Sequence, residues 1–423
     1  MIDRTKAPEH HAIERLSLPP EQVRVLPNGV TLHVFRGGDQ PVATLRLVFD
    51  GGAEECANPA LQSLYSQLLA EGTRNLTALE VSEELDFNGA RYSPIRSNHH
   101  TGFRLGMLCR RAAPLMALMK DIFTAPLFGE KELEAAKTAE TARLNYVAKQ
   151  MPTLAVRECA AMVCGPDHPS SRIAGADDVR AVTPDDLRRY HASLCGARGC
   201  HAYLSGDITD DILSACTDFL EVFPDRVGMT PRVRPFEQQA PGVRRIVRDY
   251  ARQSAVVAGM EEINRTHKDY HNLRLAVMAL GGYFGSRLMS ELRERQGLTY
   301  GVSAALCALA DGAYVNISAQ CSHDKVSAVL DGLAAEMRRL ATEPPRGEEL
   351  ERLRMHALTE ALQTLDNPDT ILGQYMLRRT VALPDDYFAR QQQAISELSP
   401  EVIADMAAKY LNPAELRIAV AGA

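Results

Sequence analysis

The sequence predicts an α+β protein built as two homologous α/β-sandwich domains, and three observations carry this. The chain has 423 residues, 45% hydrophobic and 24% charged, which is ordinary globular composition and enough for two cores. One pattern recurs: Thr183–Pro184 and the strand-like Ala202–Gly206 are repeated as Ser399–Pro400 and Ile418–Gly422, each pair 216 residues apart. Between the copies, Val227 to Gly242 carries Pro231, Pro235 and Pro241 among polar residues and reads as a connector. The expected division is a first domain at 1–228, a linker at 229–242 and a second domain at 243–423.

The elements follow in order. Asn28 and Gly29 form a hairpin signal before the strand Val30–Val34, and Ala43–Phe49 is a second strand. Residues 59–73 place Leu61, Leu64, Tyr65, Leu68 and Leu69 on one helical stripe. Thr183 caps a helix with Pro184 at its first position, and Ser399 with Pro400 repeats the arrangement, so each half closes as helix, strand, glycine. An apolar helix is expected over Leu273–Leu280. Residues 281–302 read GGYFGSRLMSELRERQGLTYGV. They predict a glycine-rich turn, a short helix burying Leu288 and Leu292, a cap at Gly297 that favours positive φ, and a small-residue strand. This segment delivers Arg293 at the helix end and Tyr300 on the strand. A guanidinium fork and a phenol on adjoining rigid elements suit the gripping of a peptide carbonyl.

Composition excludes several classes. A net charge of −7 gives no basic footprint for nucleic acid. Residues 1–11 lack the apolar run of a secretion signal, and no stretch is apolar for long enough to span a membrane. Nine scattered cysteines, an odd number, favour free thiols and a cytoplasmic location. Gly281, Gly282 and Gly285 lack the preceding strand of a dinucleotide fingerprint.

The string at 281–302 closely resembles the C-terminal-domain signature of the insulinase-like (pitrilysin) metallopeptidase superfamily, in its processing-peptidase branch. The resemblance covers nearly the whole chain. It implies two related domains facing each other across a chamber. It assigns Arg293 and Tyr300 to substrate contact and to stabilising the tetrahedral intermediate, with Gly281, Gly282, Gly285 and Ser286 as further substrate-binding positions.

Active relatives carry His-x-x-Glu-His on the first helix, two ligands and a base on one face, and a later glutamate completes the zinc site. Here Glu71, Gly72 and Thr73 fix the register against that pattern. The ligand positions fall on Ser63 and Gln67, the base on Ser66, and the later glutamate at or near Arg143. Serine and glutamine are poor zinc ligands, and an arginine repels a cation. The expectation is no metal in this chain and zinc in a partner subunit. The substrate-pairing edge strand of active relatives corresponds to Gly89–Pro94, where Pro94 lacks an amide donor.

Other histidine and cysteine groups have plainer structural explanations. His267 and His271 read as the solvated N-terminal turn of a helix, and His168 as a turn residue. His99 and His100 are strand neighbours on opposite faces. Cys195, Cys200 and His201, near His191, have spacing compatible with a metal, or form only a helix-to-strand turn. Glu348 and Glu349 read as a solvated helix face.

The function expected from the resemblance is a division of labour. A homologous His-x-x-Glu-His subunit would hold the zinc, and this chain would supply Arg293 and Tyr300 for cleavage of a peptide. A peptide-binding pseudoenzyme, a scaffold subunit of a larger assembly, and a peptidase with relocated metal ligands stay open.

Overall fold

Two mixed sheets organise the chain in the computed structural model, which describes residues 17–310 and 312–422. The expectation about residues 1–11 lies outside the described residues. The first half runs β1 (Gln22–Val25), β2 (Thr31–Arg36), β3 (Val42–Asp50), α1 (Leu61–Leu68), α2 (Ala78–Phe87), β4 (Arg91–Arg96) and β5 (His100–Leu108). It continues with α3 (Ala112–Thr124), α4 (Glu130–Val147), α5 (Met151–Cys164), α6 (Ala176–Ala181), α7 (Pro184–Leu194), β6 (Cys200–Gly206) and α8 (Asp210–Leu220). The second half runs β7 (Gly242–Val247), β8 (Ser254–Glu262), α9 (Tyr270–Val277), β9 (Thr299–Ala308), β10 (Ala313–Cys321) and α10 (Val326–Thr342). It ends with α11 (Glu348–Gln363), α12 (Pro368–Thr380), α13 (Tyr387–Ser396), α14 (Pro400–Tyr410) and β11 (Arg417–Gly422).

The sheets share one topology. The first has strand order β1-β2-β6-β3-β5-β4 and the second β7-β11-β8-β10-β9. In each, one parallel pair (β2 with β6, β7 with β11) joins antiparallel neighbours. The second sheet is therefore the first without β1, and β9 occupies the edge that β4 occupies in the first. Hairpin chemistry places the start: Gly29 takes φ of 98°, and β1 pairs with β2 across Asn28 and Gly29. Thr183 and Ser399 accept the hydrogen bonds of Asp186 N and Val402 N, so both capping predictions hold.

One face of each sheet carries that half's own helices. Leu45, Leu47, Phe103 and Leu105 pack with α1, α3, α7 and α8, while Val256, Val315 and Ile317 pack with α9, α10 and α14. The other face is covered by a helix from the opposite half. Ala155, Cys159 and Val163 of α5 meet Ala255, Val257, Ala419 and Ala421 of the second sheet. Ile371, Leu372 and Tyr375 of α12 meet Val48 and Tyr203 of the first. Asp369 of α12 also pairs with Arg46 (2.8 Å) and Arg104 (3.1 Å), and Arg379 with Asp50 (2.9 Å).

The proline-rich stretch carries no helix or strand from Gly228 to Pro241, yet it is strapped down. Glu237 N and Gln239 N donate to Cys164 O and Met162 O, Arg232 N donates to Glu55, and Arg234 pairs with Glu54. Pro94 does not interrupt β4, which pairs with β5 in continuous register from Arg91 to Arg96. An edge strand needs donors on one side only, so proline is tolerated there.

Candidate functional site

Two constellations bear on function. The first is on α1. Leu64, Tyr65, Leu68 and Leu69 are buried, as their spacing predicts, and they fix which residues face the other way. Ser66 is buried and donates to Gln62 O at 2.8 Å, closing on its own helix. Gln62, which the sequence did not single out, donates to Ser97 O, His100 O and Thr101 Oγ1 and ties α1 to the β4–β5 hairpin.

Ser63 and Gln67 do meet a carboxylate, but it is Glu140 rather than a residue at 143. Gln67 Nε2 donates to Ser63 Oγ at 3.2 Å, and Ser63 Oγ lies 3.4 Å from Glu140 Oε1. Arg143 stands one turn further along α4 and clasps Glu140 through Nε and Nη2, both at 2.7 Å. Arg96, at the end of β4, donates to Ser63 Oγ at 2.6 Å. The Glu140 side chain is 4% exposed. Its hydrogen bond from Arg143, with the Arg143 charge, Gln67 and the Arg96 charge, outweighs burial and holds the carboxyl below the usual carboxylate range.

These residues do not fit zinc. The one carboxylate is engaged by a guanidinium, the hydroxyls and amide around it are poor ligands, and Arg96 and Arg143 bring positive charge to the spot. Among the described residues, no three His, Cys, Asp or Glu side chains come together to hold a metal. Beside Ser66 and Gln67, a cleft of about 840 Å³ opens between α1, α2 and β4, with Glu71, Asp86, Arg91 and Pro94 on its walls.

The second constellation is on the edge of the other sheet. After α9 the chain winds into π-helical turns at Met278–Gly282 and Met289–Arg295. Leu288 and Leu292 are fully buried, and Gly297 takes φ of 58°, as a helix terminator should. Gly281 packs directly on β9: a Cβ there would sit 2.6 Å from the Ala304 backbone nitrogen. Gly282 is exposed, Gly285 is partly exposed against Tyr283, and Ser286 is buried with its hydroxyl unpartnered. Arg287 pairs with Glu349 of α11 and Glu343 O, so Glu349 is a structural tie rather than a freely solvated group.

Arg293 and Tyr300 are brought together. The Arg293 guanidinium carbon lies 4.6 Å from the Phe284 ring centre and 5.6 Å from that of Tyr300. Among the described residues it has no hydrogen-bonding or ion-pair partner, and Tyr300 is 90% exposed. Phe284, 63% exposed, was not singled out in the sequence, although its place between the glycines signals a ring held by the turn. A groove of about 420 Å³ continues from Tyr300 between β9 and α5, lined by Val156, Val257, Met289, Gly301, Ser303 and Gln320.

The remaining candidates disperse. His191 Nδ1 faces Tyr65 Oη at 2.9 Å and Cys195 Sγ at 3.5 Å in the first core, while His201 lies 3.4 Å from His33 on the opposite sheet face. Strand alternation separates Cys200 from His201. His271 is buried against Tyr387, and burial depresses its pKa to about 4, so it is no solvated turn residue. His168 Nδ1 accepts from Ser170 N and closes its turn.

Comparison with known proteins adds to this geometry. A family profile described as insulinase, peptidase family M16, matches residues 38–164, and one described as the peptidase M16 inactive domain matches residues 181–356. The chain is 23% identical over 304 residues to the non-peptidase homolog YmxG of Helicobacter pylori, covering 69% of this chain and 66% of that protein. It is 23% identical over 271 residues to an uncharacterized zinc protease of Streptomyces coelicolor, covering 62% and 59%. The chain thus spans 66% and 59% of the length of these two curated relatives. The crystal structure of a peptidase M16 inactive domain from Pseudomonas fluorescens superposes with a TM-score of 0.86 at 22% identity, over 96% of this chain and 98% of that one.

Proposed function

Since this chain belongs to the insulinase-like M16 peptidase family, as a member of its inactive type, we propose that it is the zinc-less subunit of a two-chain metallopeptidase. It presents Arg293 and Tyr300 to the His-x-x-Glu-His site of a homologous partner and helps that site cleave peptides. The observation that carries the reading is the Arg293–Tyr300 pair itself. The guanidinium lies against two rings with no carboxylate among the described residues to occupy it, next to an unshielded phenol.

The chemistry assigned to each residue follows from its atoms. Arg293 offers its fork to a substrate carbonyl, and Tyr300 donates a hydrogen bond to the oxyanion that develops when the carbonyl is attacked. Such donors work in a water-excluded site, and Tyr300 alone is bathed in solvent. A covering partner supplies the missing exclusion, and the zinc belongs to that partner. The second reading, a peptide-binding or scaffold subunit without a part in proteolysis, draws support from the arginine-closed face of α1. Nine cysteines outside any disulfide fit a reducing compartment, and among the described residues no helix is long and apolar enough to cross a membrane.

The test is Tyr300→Phe in the assembled pair. Loss of one oxyanion donor lowers turnover by about 10²–10³ while the complex stays intact by size-exclusion chromatography. Unchanged turnover removes the catalytic role.

A further inference from the structure

One face of the second sheet is only partly covered. Ala155 and Cys159 of α5 pack on Ala255 and Val257 of β8 and on Ala419 and Ala421 of β11. The sheet continues past them through β10 to the edge strand β9. The row Val257, Ser318, Ser303 runs outward in register across those three strands, and its last member is exposed. This step forms the floor of the groove of about 420 Å³, and Pro152 and Val156, one turn apart on α5, form its wall. Val156 is left 49% exposed there.

The lining says what the groove takes. None of the described residues that line it has a titratable side chain. Its two serines occupy each other, Ser303 Oγ lying 3.0 Å from Ser318 Oγ. A charged side chain entering here gives up water without gaining a counter-ion, whereas an apolar one gains by burial. Gly301, Ser303, Ser318 and Ala255 keep the floor low, which leaves the volume for a bulky group. The cleft beside β4, at the equivalent edge of the first sheet, has the opposite character, with Glu71, Asp86 and Arg91 on its walls.

The groove is joined to the Arg293–Tyr300 pair by strand register. Val302 pairs with Ala319 and Thr299 with Cys321, so Tyr300 and Gly301 form a bulge that together opposes Gln320. Thr299 Oγ1 pins the bulge, 2.6 Å from Gln320 O and 3.1 Å from Gly301 N. Gly301 and Gln320 both line the groove, so the bulge holds the exposed phenol at its mouth. We propose that this groove is a specificity pocket, which takes a bulky apolar side chain, such as Phe or Leu, of the peptide whose backbone Arg293 and Tyr300 hold. The proposal rests on the peptide-binding part of the function proposed above and does not need the partner's zinc.

The experiment is calorimetric titration of the full chain alone with peptides Ala-Ala-X-Ala-Ala, acetylated and amidated, in which X is Phe, Leu, Ala or Glu. The Phe and Leu peptides are expected to bind about tenfold tighter than the Ala peptide, the worth of burying one large apolar side chain, and the Glu peptide no tighter than Ala. Val156→Asp, at an exposed position of the wall, is expected to erase the preference with the thermal midpoint of the chain unchanged. Ser303→Tyr, which fills the floor from an exposed position, is expected to do the same. Equal affinity of all four peptides, no binding by any, a Glu peptide that binds best, or a preference that survives both substitutions overturns the pocket. Arg293→Ala separates the pocket from the reading it rests on: it should weaken all four peptides alike and leave the Phe-to-Ala ratio intact. An intact ratio with no weakening upholds the pocket and removes the role of Arg293 in holding the peptide.

Discussion

At the residue scale, Glu140 and Tyr300 illustrate opposite uses of exposure. Glu140 is sealed under Arg143, and its carboxyl is held below its ordinary pKa first by that hydrogen bond. A carboxylate with a depressed folded-state pKa contributes stability that is present above its unfolded pKa and lost as pH falls through the folded value. Glu140→Gln is therefore expected to lower the unfolding midpoint at pH 7. The difference from wild type should shrink as pH falls below the ordinary value of 4.5 toward the depressed one, read by denaturant melts at stepped pH. A difference independent of pH would show that packing, not charge, holds Glu140. Tyr300 is the converse: a bare phenol contributes little to the isolated fold. Tyr300→Phe should leave the thermal midpoint of the lone chain unchanged, within about 0.5 kcal/mol as for surface substitutions.

At the element scale, α5 and α12 each close the other half's sheet. Leu372 of α12 is fully buried between Val48, Tyr203 and its neighbours, whereas Leu362 of α11 is 41% exposed. Leu372→Ala is expected to cost about 2–5 kcal/mol, against near zero for Leu362→Ala, measured as shifts in urea midpoint. This crossing was not legible in the sequence. An amphipathic stripe such as that of α5 says that a face is buried but not against what, and the partner strands lie more than ninety residues away. What was legible were features written locally: the Thr183 and Ser399 caps, the Gly29 hairpin, the Gly297 terminator and the stripe of α1. The π-helical form of Met289–Arg295 was not, because an extra residue per turn leaves Leu288 and Leu292 on the same face. Glu140 escaped for a similar reason. Counting along the chain reaches Arg143, and only the fold shows that the residue one turn earlier points at Ser63. Cys195, Cys200 and His201 looked clustered in sequence, yet strand alternation sends His201 to the opposite sheet face, against His33, while Cys195 and Cys200 stay in the first core.

At the scale of the whole molecule, the two sheets repeat one topology, and the repeat places β4 and β9 at equivalent edges. The chemistry at those edges has diverged. Beside β4, arginines surround a single carboxylate; at β9, Arg293 and Tyr300 stand open on a turn tied to α11 through Arg287 and Glu349. A chain that exposes Arg293 and Tyr300, and whose α1 face does not suit zinc, is expected to act only in company. The measurement that tests this most directly is co-expression of this chain with a His-x-x-Glu-His homologue from the same genome, followed by zinc-dependent peptide cleavage assays on each chain and on the pair. The account predicts cleavage by the pair and by neither chain alone. Full activity of the homologue without this chain would contradict it.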